Sequence, residues 1–164
     1  MTCYARFSTP LGTLLATAAG GALTGLYFDR QQYFPAIAAD WREDAAAAPL
    51  QECARQLEEY FEGRRDAFDL PLAPEGTQFQ RRVWQEIARI PFGETITYSE
   101  LARRAGAPGS ARAAGAATGR NPISIVVPCH RVVGSDGSLT GYAGGLERKA
   151  KLLEIEGALQ GSLV

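Results

Sequence analysis

The chain has 164 residues, 46% of them hydrophobic and 21% charged, with 17 basic and 18 acidic side chains and a formal net charge of −1. That is long enough to bury a core, while no run approaches the ~20 apolar residues of a transmembrane helix and "MTCYARFSTPLG" lacks the basic and apolar regions of a signal peptide, so a soluble, cytoplasmic protein is expected. Three widely spaced cysteines, Cys3, Cys53 and Cys129, argue against a disulfide framework, and with a single histidine, His130, they argue against a Cys/His zinc site.

The first elements read as extended. "STPLGTLLATAAGGALTGLYF" has two β-capable runs around Gly20 and Gly21, a hairpin signal, and predicts an antiparallel sheet. Leu50, Cys53, Ala54, Leu57, Tyr60 and Phe61 then recur at helical spacing up to Gly63, which makes Cys53 a packing residue. "DLPLAPEGT" is rich in Pro and Gly and places a domain boundary near residue 76, giving domains 1–76 and 77–164. Charge follows a similar division. Residues 1–76 carry 6 basic and 11 acidic side chains, whereas residues 77–131 carry 8 arginines and 3 glutamates. The middle of the chain is suited to face an anion, although arginines also decorate ordinary solvated helices.

Thr77 with Gln80, and Thr97 with Glu100, match the capping box and should each open a helix. The first carries Phe79, Val83, Trp84, Ile87 and Ile90 on one face and ends at Pro91; the second, "YSELARRAG", runs to Gly106. After "GAPG" a third helix begins near Ser110. Two short helices joined by a Gly-containing turn form the helix-turn-helix pattern, whose second helix enters a DNA groove. That helix, "SARAAGAATGRNP", is dominated by Ala and Gly with Arg112 in its first turn. Its small residues serve simple packing or close approach to a minor groove.

The histidine stands in "ISIVVPCHRVVG". "SIVV" is predicted to be a short strand, and Pro128 opens a turn that brings the Cys129 thiol out beside the DNA-facing helix. Cysteine attacks as thiolate, and an unperturbed pKa near ~8.5 leaves little of it at neutral pH. A base is needed. His130 is the only imidazole, and an acid is needed to orient it. On a strand the two neighbours point to opposite faces, so they meet only through a bend or a bridging water. Downstream, "GYAGGLERKAKLLEIEG" gives a glycine-rich loop and a helix with Leu146, Lys149, Leu152, Leu153 and Glu156 at helical spacing. Spacing alone leaves Glu154 and Glu156 both open as the acid.

"GRNPISIV", "PCHRVV" and "GYAGG", following a helix-turn-helix with an Arg early in its second helix, resemble the O6-alkylguanine-DNA alkyltransferase family, also called methylated-DNA-protein-cysteine methyltransferases. The resemblance covers nearly all of residues 77–160. The N-terminal half matches more loosely, through its "TPLG" strand and the overall length, which suits a stand-alone bacterial form without the extra domain of the fused adaptive-response form. It implies an α+β fold: an N-terminal antiparallel sheet with a helix, ribonuclease H-like, and a C-terminal winged helix-turn-helix-like domain carrying the active site.

It further implies a single-turnover DNA repair enzyme that irreversibly moves a methyl or other alkyl group from O6 of guanine to Cys129, with O4-alkylthymine an open second substrate. His130 would act through a water as base, Glu156 would orient His130, Asn121 would brace the active-site turn, and Tyr98 would donate toward N3 of the departing guanine. Arg112 would fill the space of the flipped nucleotide. Tyr98, Ala111, Ala113, Ala114, Gly115, Thr118, Gly119 and Arg120 would complete the DNA contact; Val127, Pro128, Tyr142, Ala143, Gly144 and Gly145 would line the guanine pocket. The implied partner is double-stranded DNA with O6-alkylguanine, bound by a monomer, with no cofactor, metal or membrane.

Three features depart from some relatives. Ala143 stands where a serine donates to O6, Thr118 replaces a bulkier side chain, and the zinc ligands of some eukaryotic N-terminal domains are absent. Alkyltransferase-like proteins carry Trp at the nucleophile position, where this chain has Cys129. Two other classes fit the residues: a transcription regulator with Cys129 as redox sensor, and a thiol hydrolase with a Cys-His-Glu triad.

Overall fold

The computed structural model describes residues 1–158. Two compact units emerge: Met1–Glu75 together with Pro122–Ser124, and Gly76–Asn121 together with the chain from Ile125 onward.

In the first unit, strands β1 (Cys3–Thr9), β2 (Gly12–Ala19) and β3 (Ala22–Phe28) form an antiparallel meander. Gly20 and Gly21 make the β2–β3 turn, both at positive φ (60° and 81°), which matches the twist of the flanking strands as side-chain-bearing residues rarely do. The sheet is not wholly antiparallel as expected. A two-residue strand β4 (Arg42–Glu43) lies parallel to β1, because the chain returns from β3 through residues 29–41 and reaches the free edge of β1 running the same way. Helix α1 (Ala48–Phe61) packs on the sheet with Leu50, Cys53, Leu57 and Tyr60 buried, and Gly63, at φ 76°, follows its end. Pro122–Ser124 is bound to β3: Leu26 N–H donates to Pro122 O at 2.8 Å and Ser124 N–H donates to Leu26 O at 3.0 Å.

The second unit begins with α2 (Gln78–Ala88), opened by the Thr77/Gln80 capping box in both its hydrogen bonds. Val83, Trp84 and Ile87 are its buried face, and Ile90 is buried just beyond the helix. Strand β5 (Ile96–Thr97) pairs in parallel with β6 (Val132–Val133). Helix α3 (Tyr98–Arg104) starts at Thr97, but its capping box is only half formed. Thr97 Oγ1 accepts from Glu100 N–H at 3.1 Å, whereas the Glu100 carboxylate is held by Arg103 and Arg104. Charge-assisted bonds to two arginines outcompete a reach back to a neutral amide. After a turn with Gly106 and Gly109 at positive φ comes α4 (Ala111–Gly119), tied to α2 by a 2.8 Å bond from Trp84 Nε1 to Ala117 O. Helix α5 (Leu146–Ile155) closes the described chain with Lys149, Leu152 and Leu153 buried. Leu146, expected on that face, is largely exposed, since it sits in the first turn.

Candidate active site

The segment between α4 and β6 decides the site's geometry. "SIVV" is not a strand: only Ile123 makes a bridge, with Leu26, and residues 124–126 form a turn in which Ile125 has φ 70°. A buried β-branched residue in that region is strained and persists only where its surroundings hold it. The hold is visible. Asn121 Nδ2 donates to Val127 O at 2.9 Å, drawing the far end of the turn back toward α4. Pro128, at φ −81° and ψ 65°, then makes an inverse γ-turn in which Cys129 N–H donates to the same carbonyl at 2.8 Å. A single 3₁₀ turn follows, Cys129–Arg131, closed by Arg131 N–H to Pro128 O at 2.9 Å. Cys129 and His130 therefore project from one tight turn and not from opposite faces of a strand.

His130 is fully buried, and its Nε2 lies 2.8 Å from Glu156 Oε2 at the end of α5. Glu154 is exposed, so Glu156 is the acid that meets the imidazole. Arg131 grips the same carboxylate: Nε donates to Oε1 at 2.8 Å and an Nη to Oε2 at 2.9 Å. A carboxylate with both oxygens accepting cannot donate to the ring. Nε2 therefore carries the hydrogen, and the lone pair is on Nδ1, which has no protein partner among the described residues. Burial pulls the His130 pKa below the ordinary imidazole value, with Arg131 and Lys149 acting the same way and Glu156 opposing. The resting ring is a neutral base.

Burial also pushes the Cys129 thiol up, opposed by a hydrogen bond with Asn121 and by the charge of Lys149. It rests as a thiol that needs a base. Lys149 itself is buried, donating from Nζ to Thr140 O at 2.6 Å and Gly141 O at 3.3 Å, and its Nζ lies 5.8 Å from the centre of the Tyr98 ring. Burial draws its pKa down to about 8, with Cys129 opposing. Tyr98 is hydrogen-bonded to Thr140, and burial raises its own pKa.

Along α4, Arg112, Ala113 and Arg120 are exposed, and Ala111 and Gly119 partly so. Two of the expected contact residues lie on the inner side of the helix. Ala114 is fully buried, and Thr118 is buried with its Oγ1 donating to Ala114 O at 2.7 Å; both belong to the packed face. Gly115 faces the Tyr98 ring, whose nearest carbon would lie 3.6 Å from an added Cβ. Tyr142, Ala143 and Gly144 are half-buried, and Gly145, exposed at φ 95°, opens α5.

Models of both domains of 6-O-methylguanine DNA methyltransferase match the chain, the ribonuclease-like domain over residues 2–74 and the DNA binding domain over residues 78–158. The chain belongs to the methylated-DNA–protein-cysteine methyltransferase family. The methyltransferase of that name from Methanosarcina barkeri is 48% identical over 153 residues, 93% of this chain and 96% of its own length. That from Mycobacterium tuberculosis is 46% identical over 93% of this chain and 91% of its own. The crystal structure of Mycobacterium tuberculosis OGT in complex with DNA has a TM-score of 0.87 and 44% identity, covering 95% of this chain and 93% of that one. The α+β fold expected from sequence is thus the family's fold.

For this methyltransferase the structure links Asn121 to the Cys129 turn, His130 to Glu156, and Tyr98 to Thr140 and Lys149. Two residues escaped the sequence reading. Lys149 registered only as a member of a helical stripe, although a lysine among leucines on a buried face signals a partnered cation. Arg131 had no signal of its own beyond its place after His130.

Proposed function

We propose that this methyltransferase repairs DNA directly, by moving a methyl or larger alkyl group from O6 of guanine in duplex DNA to Cys129 Sγ. Residues 77–164 carry binding and transfer, and residues 1–76 support them. The exposed face of α4 enters the minor groove, Arg112 takes the place of the flipped nucleotide, and the base enters a pocket walled by Val127, Pro128 and the loop from Tyr142 to Gly145. His130 Nδ1 accepts the thiol proton through a water while Glu156 holds the ring. The S–C bond forms as the C–O6 bond breaks, and the electron pair left on guanine spreads to N3, where the Tyr98 hydroxyl donates. In the balance the thiol proton is the one that the restored guanine carries. The thioether has no route back to thiol, so each molecule acts once.

The observation that carries this reading is the tight turn that presents a buried thiol and, in the next residue, a buried imidazole whose Nε2 is already committed to Glu156. In this reading the protein works as a monomer on alkylated duplex DNA in the cytoplasm. Incubating the protein with excess duplex containing O6-methylguanine and counting restored guanines tests the reading. One guanine per protein molecule is expected, with no increase on longer incubation; continued turnover, or no restored guanine, contradicts it.

A further inference from the structure

Arg131 is buried in the reactive turn, yet the transfer chemistry outlined above gives it no part. Its three groups of contacts point in three directions. The guanidinium spans both oxygens of Glu156, another N–H donates to Ile90 O beyond the end of α2, and its Cζ lies 5.9 Å from the centre of the Phe92 ring. This fixes the plane of the guanidinium, and with it the plane of the carboxylate that meets His130.

The consequence is electrostatic. A buried imidazole facing a lone carboxylate is drawn toward imidazolium, because the opposite charge favours the charged form in a poorly screened site. Imidazolium has no lone pair with which to take a thiol proton. An Arg–Glu pair, by contrast, presents His130 with an acceptor whose charge is already matched.

We propose that Arg131 is a positioning residue for alkyl transfer: by clamping both oxygens of Glu156 it lets that carboxylate orient His130 without protonating it, and so keeps Nδ1 available as the base. The inference rests on the alkyl-transfer reading. The charged and titratable groups around His130 are Glu156 and Lys149 from α5 and Arg131 and Cys129 from its own turn, and of the charged ones only Glu156 favours the imidazolium. The burial-driven fall in the His130 pKa agrees with a ring that rests neutral.

His130 is the chain's only histidine, so nitrogen-detected NMR of the untagged protein reads one imidazole. In the wild type at neutral pH the expected state is neutral, protonated at Nε2 and bare at Nδ1. Arg131→Met should move the imidazole midpoint upward, carry the acid limb of the single-turnover rate profile with it, and slow transfer at neutral pH by about tenfold. Arg131→Lys, which keeps charge and loses the fork, should shift the midpoint less. Arg131→Met combined with Glu156→Gln removes both charges and should return the midpoint to the low side; it also covers the case in which the single variant fails to fold. An imidazolium or an Nδ1-protonated ring in the wild type overturns the proposal, as does an unmoved midpoint in folded Arg131→Met or a raised one in the double variant. The NMR titration needs no DNA, so failure of the wild type to take up a methyl group would count against the alkyl-transfer reading alone.

Discussion

The Asn121 side chain and the Val127 carbonyl are joined by a 2.9 Å hydrogen bond, and Cys129 N–H donates to the same oxygen at 2.8 Å. One carbonyl thus ties the end of α4 to the reactive thiol across a turn in which Ile125 is strained. Asn121→Ala removes a buried donor and lets that turn relax. A loss of about 1–3 kcal/mol in urea unfolding is expected. Transfer should slow by about a hundredfold, since the thiol loses its fixed aim; a rate within twofold of wild type would mean that Asn121 does not brace the turn.

The depressed His130 pKa has a definite sign. The unfolded chain takes up a proton near the ordinary imidazole value, ~6.5, while the folded chain resists doing so until lower pH. Between those two values the unfolded state binds more protons, so this contribution to stability is fully present above ~6.5 and is lost as pH falls through the folded pKa. The single-turnover rate should likewise hold through the ordinary imidazole range and decline only below it. Urea midpoints and rates measured from pH ~5 to ~8 check both; a rate that halves at or above ~6.5 would remove neutral His130 as the base.

Lys149 holds the carbonyls of Thr140 and Gly141, and its charge favours the Cys129 thiolate. Lys149→Met keeps the stem and deletes the charge. Amide hydrogen exchange across residues 140–145 should quicken, and the thiolate should form at higher pH. Transfer from free O6-alkylguanine base should slow by about a hundredfold, as for loss of one preorganised charged group. Unchanged exchange and an unchanged thiol titration would limit Lys149 to filling space.

Arg112 stands on the exposed face of α4, away from the buried contacts of the reactive turn. Arg112→Ala should therefore weaken capture of alkylated duplex on the order of tenfold and leave the reaction with free modified base intact. Equal slowing with both substrates would contradict its assignment to the flipped nucleotide.

The sequence is most legible where local chemistry decides the outcome. The Gly20–Gly21 turn, the stop after Phe61 and the Thr77 cap each have a short-range cause, and each formed. It misleads where a competing or tertiary partner wins over the local pattern. "SIVV" has the composition of a strand, but Asn121 and two flanking prolines turn it into a strained bend. Glu100 has the spacing to complete a capping box, but Arg103 and Arg104 take its carboxylate. On α4 nearly every residue is small, so periodicity does not separate buried Ala114 and Thr118 from exposed Ala113. Glu154 and Glu156 are two residues apart at a helix end, and only tertiary packing turns the second onto His130.

The most direct test is intact-protein mass spectrometry after mixing with one equivalent of duplex bearing a single O6-methylguanine, followed by peptide mapping. The expected result is a mass gain of one methyl group, stoichiometric, resistant to reductant and located on Cys129. Retained DNA binding with an unchanged mass, or a methyl group on another residue, would contradict transfer to this thiol.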